Sequence, residues 1–403
     1  MSVRMHDAAN MVTNKRFARI LYGSPLATMP GKLVLLLLLL VLFLLSLPGF
    51  KEYYTVYPLQ LIVGISIASV LYIPTLIALW FFDRREREPW PMVLFTICAV
   101  TFFFGPVTSH SLGTIDRFFP ATRVVGFVEE FWKVAPLLIL IFFLPRAVNG
   151  TRDGLVYGAL GGFGFAILEF AANSTWEYFP EMGWAAFGNA LARANLLGTH
   201  NHMIWSATIG AAIGWASVAP KGWKRFAVPI AVYLGVGALH IFEDMGGNIL
   251  TTMIAGAMLE PLVLAQPNPE QFIQAILMPS QVFFGTLNVL LINIFILPIL
   301  FVVLRRSGDT ERRIIRERLK AEADEVITSL EYKGVVADRR YRTREITGPP
   351  KRVGREIVQM QNELAFHKEF VAQRAGNADS DPPVVALRQQ IEIARTKTNS
   401  LET

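Results

Sequence analysis

Apolar residues recur along this 403-residue chain in long runs separated by short charged turns, and the balance reverses only after about residue 306. A bilayer crossing takes about 20 mainly apolar residues. Eight runs approach or exceed that length: 32–50, 58–82, 91–112, 123–145, 154–173, 197–219, 226–248 and 281–304. The stretch 251–265 is apolar but short and is bounded by Pro261 and Pro267, which predicts an interfacial or re-entrant piece. Beyond 306, DTERRIIRERLKAEADEVITSLEY has the spacing of a solvated amphipathic helix, followed by a Gly-Pro-Pro break and two more helical stretches. The pattern predicts an all-α polytopic membrane helix bundle of about eight transmembrane helices with a charged helical C-terminal tail. Its parts are a cytoplasmic N-terminal segment 1–31, a transmembrane domain 32–305 with its core at 60–305, and a tail 306–403. No internal repeat of fixed period is present.

Composition agrees: 53% of residues are hydrophobic and 17% charged, against roughly 25% charged in a soluble domain. The net charge of +6 comes from clusters beside apolar runs, where basic residues set topology and meet lipid headgroups, so no nucleic-acid partner is implied. The single cysteine, Cys98, excludes an intramolecular disulfide and any multi-cysteine metal site. Loop charges alternate. Arg4, Lys15, Arg16 and Arg19 precede the first run; Arg84, Arg85 and Arg87 follow the second, and Arg146 and Arg152 the fourth. Lys221, Lys224 and Arg225 follow the sixth, then Arg305 and Arg306 the last. The opposite loops hold little beyond Lys51, Arg117, Arg123 and Arg193. The positive-inside rule then puts both termini in the cytoplasm and an even number of spans between them. The Leu-rich first run lacks a small-residue cleavage site and is expected to remain as an anchor rather than a cleaved signal peptide.

Within the fourth run, GFVEEFWKVAPLL places Glu129, Glu130 and Lys133 where each charge costs ~2.5–3.5 kcal/mol at a bilayer centre. Glu129 lies six residues past Arg123, so ~9 Å in from the outer face. Glu169 comes 14 residues after Leu155, ~21 Å from the inner face on a span of opposite direction. His202 falls in the outer turns of the sixth span, and His240 and Asp244 near the outer end of the seventh. Four helices thus bring three carboxylates and two imidazoles to one depth, a set suited to water activation, metal ligation or proton relay. Lys133 is one turn from Glu129 and can neutralise it, and Asp244 is one turn from His240 and can orient the imidazole. Gly158, Gly161, Gly162 and Gly164, with Ser206, Gly210, Ala211 and Ala212, allow close helix approach around this centre. Taken singly, an intramembrane glutamate can be a structural hydrogen-bond partner and a histidine an interfacial residue; His200 is read as interfacial.

The motifs Glu129-Glu130-x-x-Lys133, Asp153-Gly154, Phe165-x-x-x-Glu169, His202-x-x-x-Ser206-x-x-x-Gly210 with Arg193 upstream, and His240-x-x-x-Asp244 resemble the PrsW family of intramembrane proteases. That family is related to the CAAX prenyl endopeptidases and bacteriocin-immunity-type membrane proteases. The resemblance covers about residues 60 to 305, with Ser206 where threonine is expected. It implies endoproteolysis of a membrane-embedded or membrane-adjacent peptide in a single-pass protein, near the extracytoplasmic face of a bacterial-type plasma membrane. In bacterial relatives that event is the first cut in an anti-sigma factor. Two chemistries are open. In one, Glu129 assisted by Glu130 activates water, while His202 and His240 stabilise the oxyanion or protonate the leaving amine. In the other, Glu169, His202 and His240 hold a divalent metal, most simply Zn2+, although no HExxH motif is present. Lys133, Asp244, Ser206 and Arg193 support the site in either case. The rival from another class is a proton-coupled transporter or channel using the same cluster, and the tail is a surface for a cytoplasmic partner.

Overall fold

The computed structural model describes residues 15–184, 186–187, 197–247, 249–338, 344–346 and 349–399, whose regular elements are all helices, with no strand among them. A short α1 (Lys15–Leu21) leads into α2 (Met29–Thr55), α3 (Pro58–Leu71), α4 (Ile73–Phe82) and α5 (Trp90–Ile115). Then come α6 (Val125–Phe143), α7 (Thr151–Ala172), α8 (Asn201–Val218), α9 (Lys224–Phe242), α10 (Ile249–Leu264), α11 (Pro269–Ile292) and α12 (Ile296–Lys320). Three tail helices close the chain: α13 (Ser329–Val336), α14 (Lys351–Ala372) and α15 (Pro382–Asn399).

By length and composition four stretches can cross a bilayer: Met29–Gly49, Trp90–Ile115, Thr151–Trp176 and Lys224–Leu264. The number rises to 6 if the bent pairs α3/α4 and α11/α12 each count as one. The protein is therefore an integral multi-pass membrane protein. The expected runs 58–82 and 281–304 are not straight spans: the first bends by 46° and the second by 69°. At the first bend Pro74 lies in the opening turn of α4 and has no N–H to continue the ladder from α3. At the second, the buried Asn293 turns its side chain to other helices. The runs 226–248 and 251–265 form one longer helical stretch, interrupted at Gly246, whose φ of 122° is open to glycine alone.

α7 is the centre of the bundle and almost wholly buried, whereas α2 turns Leu33, Leu36, Leu37 and Leu40 outward. Close contact with α8 follows from sequence. Gly154, Gly158 and Gly162 recur every fourth residue and form one stripe. A Cβ on any of them would strike a carbonyl oxygen of α8, that of Gly210, Ser206 or His202 respectively. Gly161 does the same for α6, lying against the Lys133 carbonyl. This stripe fixes the register of the helices that carry the ionisable residues.

The opposite end of the bundle is held by ion pairs to the tail, which has a core of its own around Leu319, Ile357, Leu364 and Leu387. Arg19 of α1 donates two hydrogen bonds to Glu363 Oε1 and one to Oε2 at 2.9–3.0 Å. Arg146 reaches Asp381 at 2.8 Å, Arg85 reaches Asp338 at 3.3 Å, and Arg152 reaches Glu311 at 2.6 Å. The basic segments that alternate along the sequence therefore meet at one end. Burial alone would raise the Glu363 carboxyl, but Arg19, His367 and Arg16 hold it at about 2. Burial also pushes the His367 imidazole below its ordinary range despite Glu363 beside it.

Both groups have a docked pKa below the value in an open chain, so their stabilisation is full at neutral pH and is lost as pH falls. The loss begins below the ordinary imidazole range and is complete only near pH 2, where Glu363 takes up its proton. Spin labels at Lys32→Cys and Gln373→Cys, in a Cys98→Ala background, are expected to give one narrow distance at pH 7 that broadens on acidification. A distance unchanged at pH 2 would show that this ion pair does not hold the tail.

Candidate active site

Helix α6 supplies Glu129, Glu130 and, one turn on, Lys133, and Lys133 Nζ donates to Glu129 Oε2 at 3.0 Å and Glu130 Oε1 at 2.8 Å. From α8, His202 presents Nδ1 to Lys133 Nζ at 2.8 Å and Nε2 to Glu169 Oε2 of α7 at 2.6 Å. An ammonium can only donate, so Nδ1 accepts and the Nε2–H donates to Glu169. From α9, His240 Nδ1 lies 3.1 Å from Glu130 Oε1, while its Nε2 faces Glu129 at 3.5 Å and Asp244 at 3.6 Å. Ser206 Oγ donates to the other Glu130 oxygen at 3.0 Å. Lys133 also sits 4.2 Å over the Phe165 ring, and the two imidazole centroids are 5.2 Å apart. The structure thus brings Glu129, Glu130, Lys133, Glu169, His202, Ser206, His240 and Asp244 into one cluster. Arg193 lies outside the described residues.

Exposure grades across the cluster. Glu130, Lys133 and Ser206 are fully buried, whereas side-chain exposure rises from 15% for Glu129 to 32% for Glu169 and 42% for Asp244. The deep groups neutralise one another, and the shallow carboxylates are the ones an entering peptide can meet. This division makes Glu129 the accessible glutamate of the pair and Glu130 its anchor.

Metal-ligating atoms gather in two groupings that share His202. In Glu129–His202–His240 and in Glu169–His200–His202 they lie within 4.8 Å of one another. The set Glu169, His202 and His240 expected from sequence is split between them. Two imidazoles and one carboxylate are the donor set of many catalytic zinc sites. Lys133 places a positive charge against two members of the first grouping, Glu129 and His202, and against His202 alone in the second, so it opposes a further cation more strongly in the first. The second grouping fits a divalent ion better, with the His202 proton moved to Nδ1 so that Nε2 can ligate. His200, read from sequence as interfacial, is its new member; it caps α8 and its ring lies 4.5 Å from that of His202.

Sequence reasoning missed the amide chain behind the histidines. Trp205 packs 4.6 Å from the His240 ring and donates from Nε1 to Asn293 Oδ1 at 2.9 Å. Asn293 donates to Asn201 Oδ1 at 2.6 Å, and Asn201 to Glu243 Oε1 at 2.6 Å. A fully buried asparagine in an apolar run needs such partners, so Asn293 carried a readable signal without saying where its partners lie.

Residues 88–265 match the family described as PrsW family intramembrane metalloprotease. Every clustered residue named above except Asn293 falls within that match. No curated protein and no solved structure matches the chain. Residues 88–265 are therefore similar to a family of intramembrane metalloproteases, and the transporter alternative gains no support.

Proposed function

We propose, from this similarity to intramembrane metalloproteases, that the protein cuts a single-pass membrane protein near the extracytoplasmic face, as the first cut in an anti-sigma-type substrate. The observation that carries the reading is the cluster itself: an accessible Glu129 beside His240, backed by buried Glu130 and Lys133. Glu129 takes a proton from the water that attacks the scissile carbonyl and returns it to the leaving amine. His240, donating from Nδ1–H to Glu130 and packed beside Trp205, turns Nε2 toward the reacting atoms and, as the imidazolium, donates from Nε2–H to the developing oxyanion. Lys133 offsets one of the two carboxylate charges of Glu129 and Glu130, and the His240 imidazolium the other. Glu169, His200 and His202 would hold the divalent metal of the family description, which supplies Lewis-acid polarisation of the carbonyl.

Incubation of the purified protein with single-pass substrates, with and without chelator, tests this. Cleavage is expected to stop on chelation and return with zinc. Metal analysis should find His200→Ala depleted and Glu129→Gln still loaded; the reverse pattern would move the ion to the first grouping. Full cleavage by protein shown to be metal-free would leave the glutamate chemistry alone.

The proposed topology has eight spans, with α6 and α8 crossing despite their ionisable residues, and both termini in the cytoplasm of a bacterial-type plasma membrane. Its support is the loop charge pattern and the meeting of α1 and the tail at one end. In a Cys98→Ala background, Gly222→Cys is expected to label only from the cytoplasmic side and Ala265→Cys only from outside. Labelling of 222 from outside would reverse the orientation and move the site to the other face.

A further inference from the structure

The amide chain behind the histidines converges on one residue. Asn293 is fully buried at the 69° bend between α11 and α12, beyond the residues that match the family model. Its side chain makes three hydrogen bonds. Nδ2 donates to the Val289 carbonyl at 2.8 Å and to Asn201 Oδ1 at 2.6 Å, and Oδ1 accepts from Trp205 Nε1 at 2.9 Å. The partners dictate how this amide is turned, because an indole N–H can only donate and a carbonyl can only accept. Turned over, it would set donor against donor and oxygen against oxygen. Fixing Asn293 in turn fixes Asn201, whose Oδ1 is taken and whose Nδ2 donates to Glu243 Oε1 at 2.6 Å. Asn288 of α11 donates to the same carboxylate oxygen at 3.2 Å.

The bond to Val289, one turn back on α11, serves the helix break itself. The other two cross to α8, where Asn201 and Trp205 stand one turn apart on the face toward Asn293. Each is set against a working part of the site. Asn201 lies in sequence between His200 and His202, the two imidazoles of the grouping with Glu169. Trp205 is packed against both of the deeper imidazoles, its ring centroid 5.9 Å from that of His202 and 4.6 Å from that of His240. Rotation about the bond to an aromatic ring is soft, so a hydrogen bond to a fixed acceptor is what sets the angle of the indole. We propose, resting on the protease reading above, that Asn293 is a positioning residue of the site. It holds the metal-ligating turn of α8 through Asn201 and the His240 ring through Trp205.

Three measurements on the purified full-length protein test this: zinc affinity by competition with a chromophoric chelator, kcat and KM on single-pass substrates at saturating zinc, and the unfolding midpoint. Asn293→Ser is the main variant. A serine hydroxyl bonds the carbonyl four residues back, so it keeps the Val289 contact and loses both bonds to α8. It is expected to weaken zinc binding about 10–100-fold and to lower kcat by a similar factor with KM unchanged, the usual cost of removing support behind a ligand. The two arms should come apart in the neighbours. Trp205→Phe keeps a ring beside His240 without the N–H, and should lower kcat while leaving zinc affinity as it was. Asn201→Ala should weaken zinc binding. Adding Asn293→Ser to Trp205→Phe should lower kcat no further, as for two residues acting through one contact. Should Asn293→Ser fail to purify, the split between Trp205→Phe and Asn201→Ala decides the matter. Zinc affinity and kcat falling together in every variant, in step with the unfolding midpoint, would reduce Asn293 to a structural role and overturn the proposal. Wild-type zinc affinity and kcat in Asn293→Ser would overturn it alone. A wild-type protein that neither cleaves nor takes up zinc would overturn the protease reading and the proposal with it.

Discussion

Glu129→Gln is expected to leave the protein folded and able to bind substrate while lowering cleavage by about 10²–10⁴-fold, the usual contribution of a positioned general base. The amide keeps the shape of the side chain and can still accept from Lys133, but it cannot take a proton from water. Glu130→Gln should differ in kind. Glu130 is fully buried and takes hydrogen bonds from Lys133, Ser206 and His240, so its loss leaves Lys133 with Glu129 as its one carboxylate partner. Removing one member of a buried pair costs about 3–5 kcal/mol. That variant should therefore lose thermal stability as well as activity, whereas Glu129→Gln loses activity alone. Comparing unfolding midpoints with cleavage rates separates the two roles, and wild-type turnover by both variants would refute the assignment.

Gly158→Val is expected to have a large structural effect at the α7–α8 contact. A Cβ there would strike the Ser206 carbonyl oxygen, a backbone atom that cannot turn aside. Overpacking costs about 1–3 kcal/mol or more, and relief requires the helices to part. Parting them carries Ser206 and His202 away from Glu130 and Lys133, and a misplacement near 1 Å can cost about 10²-fold in rate. Gly235→Val on α9 is the control, since nothing lies within 4 Å of a Cβ there. Equal unfolding midpoints and equal cleavage for the two variants would show that the glycine stripe does not set the register of the site.

The centre of the site was legible because charge in an apolar run is costly and therefore conspicuous. Glu129, Glu130, Lys133, His202 and His240 all announced themselves this way, and the helical rise of about 1.5 Å per residue put them at one depth. The same arithmetic could not say which imidazole nitrogen meets which carboxylate, and so joined Glu169 to His240 in a ligand set that the helices divide. His200 was passed over because a histidine at a helix start has an adequate interfacial explanation. The breaks after α3 and α11 were hidden by hydropathy, although Pro74 and Asn293 stand beside them. The tail showed its amphipathic period but not its docking, because a carboxylate such as Glu363 looks solvated until its partner, 344 residues away, is known.

That separation also sets a clock. Arg19 leaves the ribosome 344 residues before Glu363. At about 5–20 residues per second, Arg19 waits on the order of 20–70 s for its partner. The apolar runs between them emerge during that interval, while Arg85 and Arg146 still lack Asp338 and Asp381. A message truncated before residue 363 would therefore yield the apolar runs from 32 to 304 with Arg19 unlatched. The clamp therefore forms only after the last apolar run has been made, and the bundle must hold its arrangement without it until then.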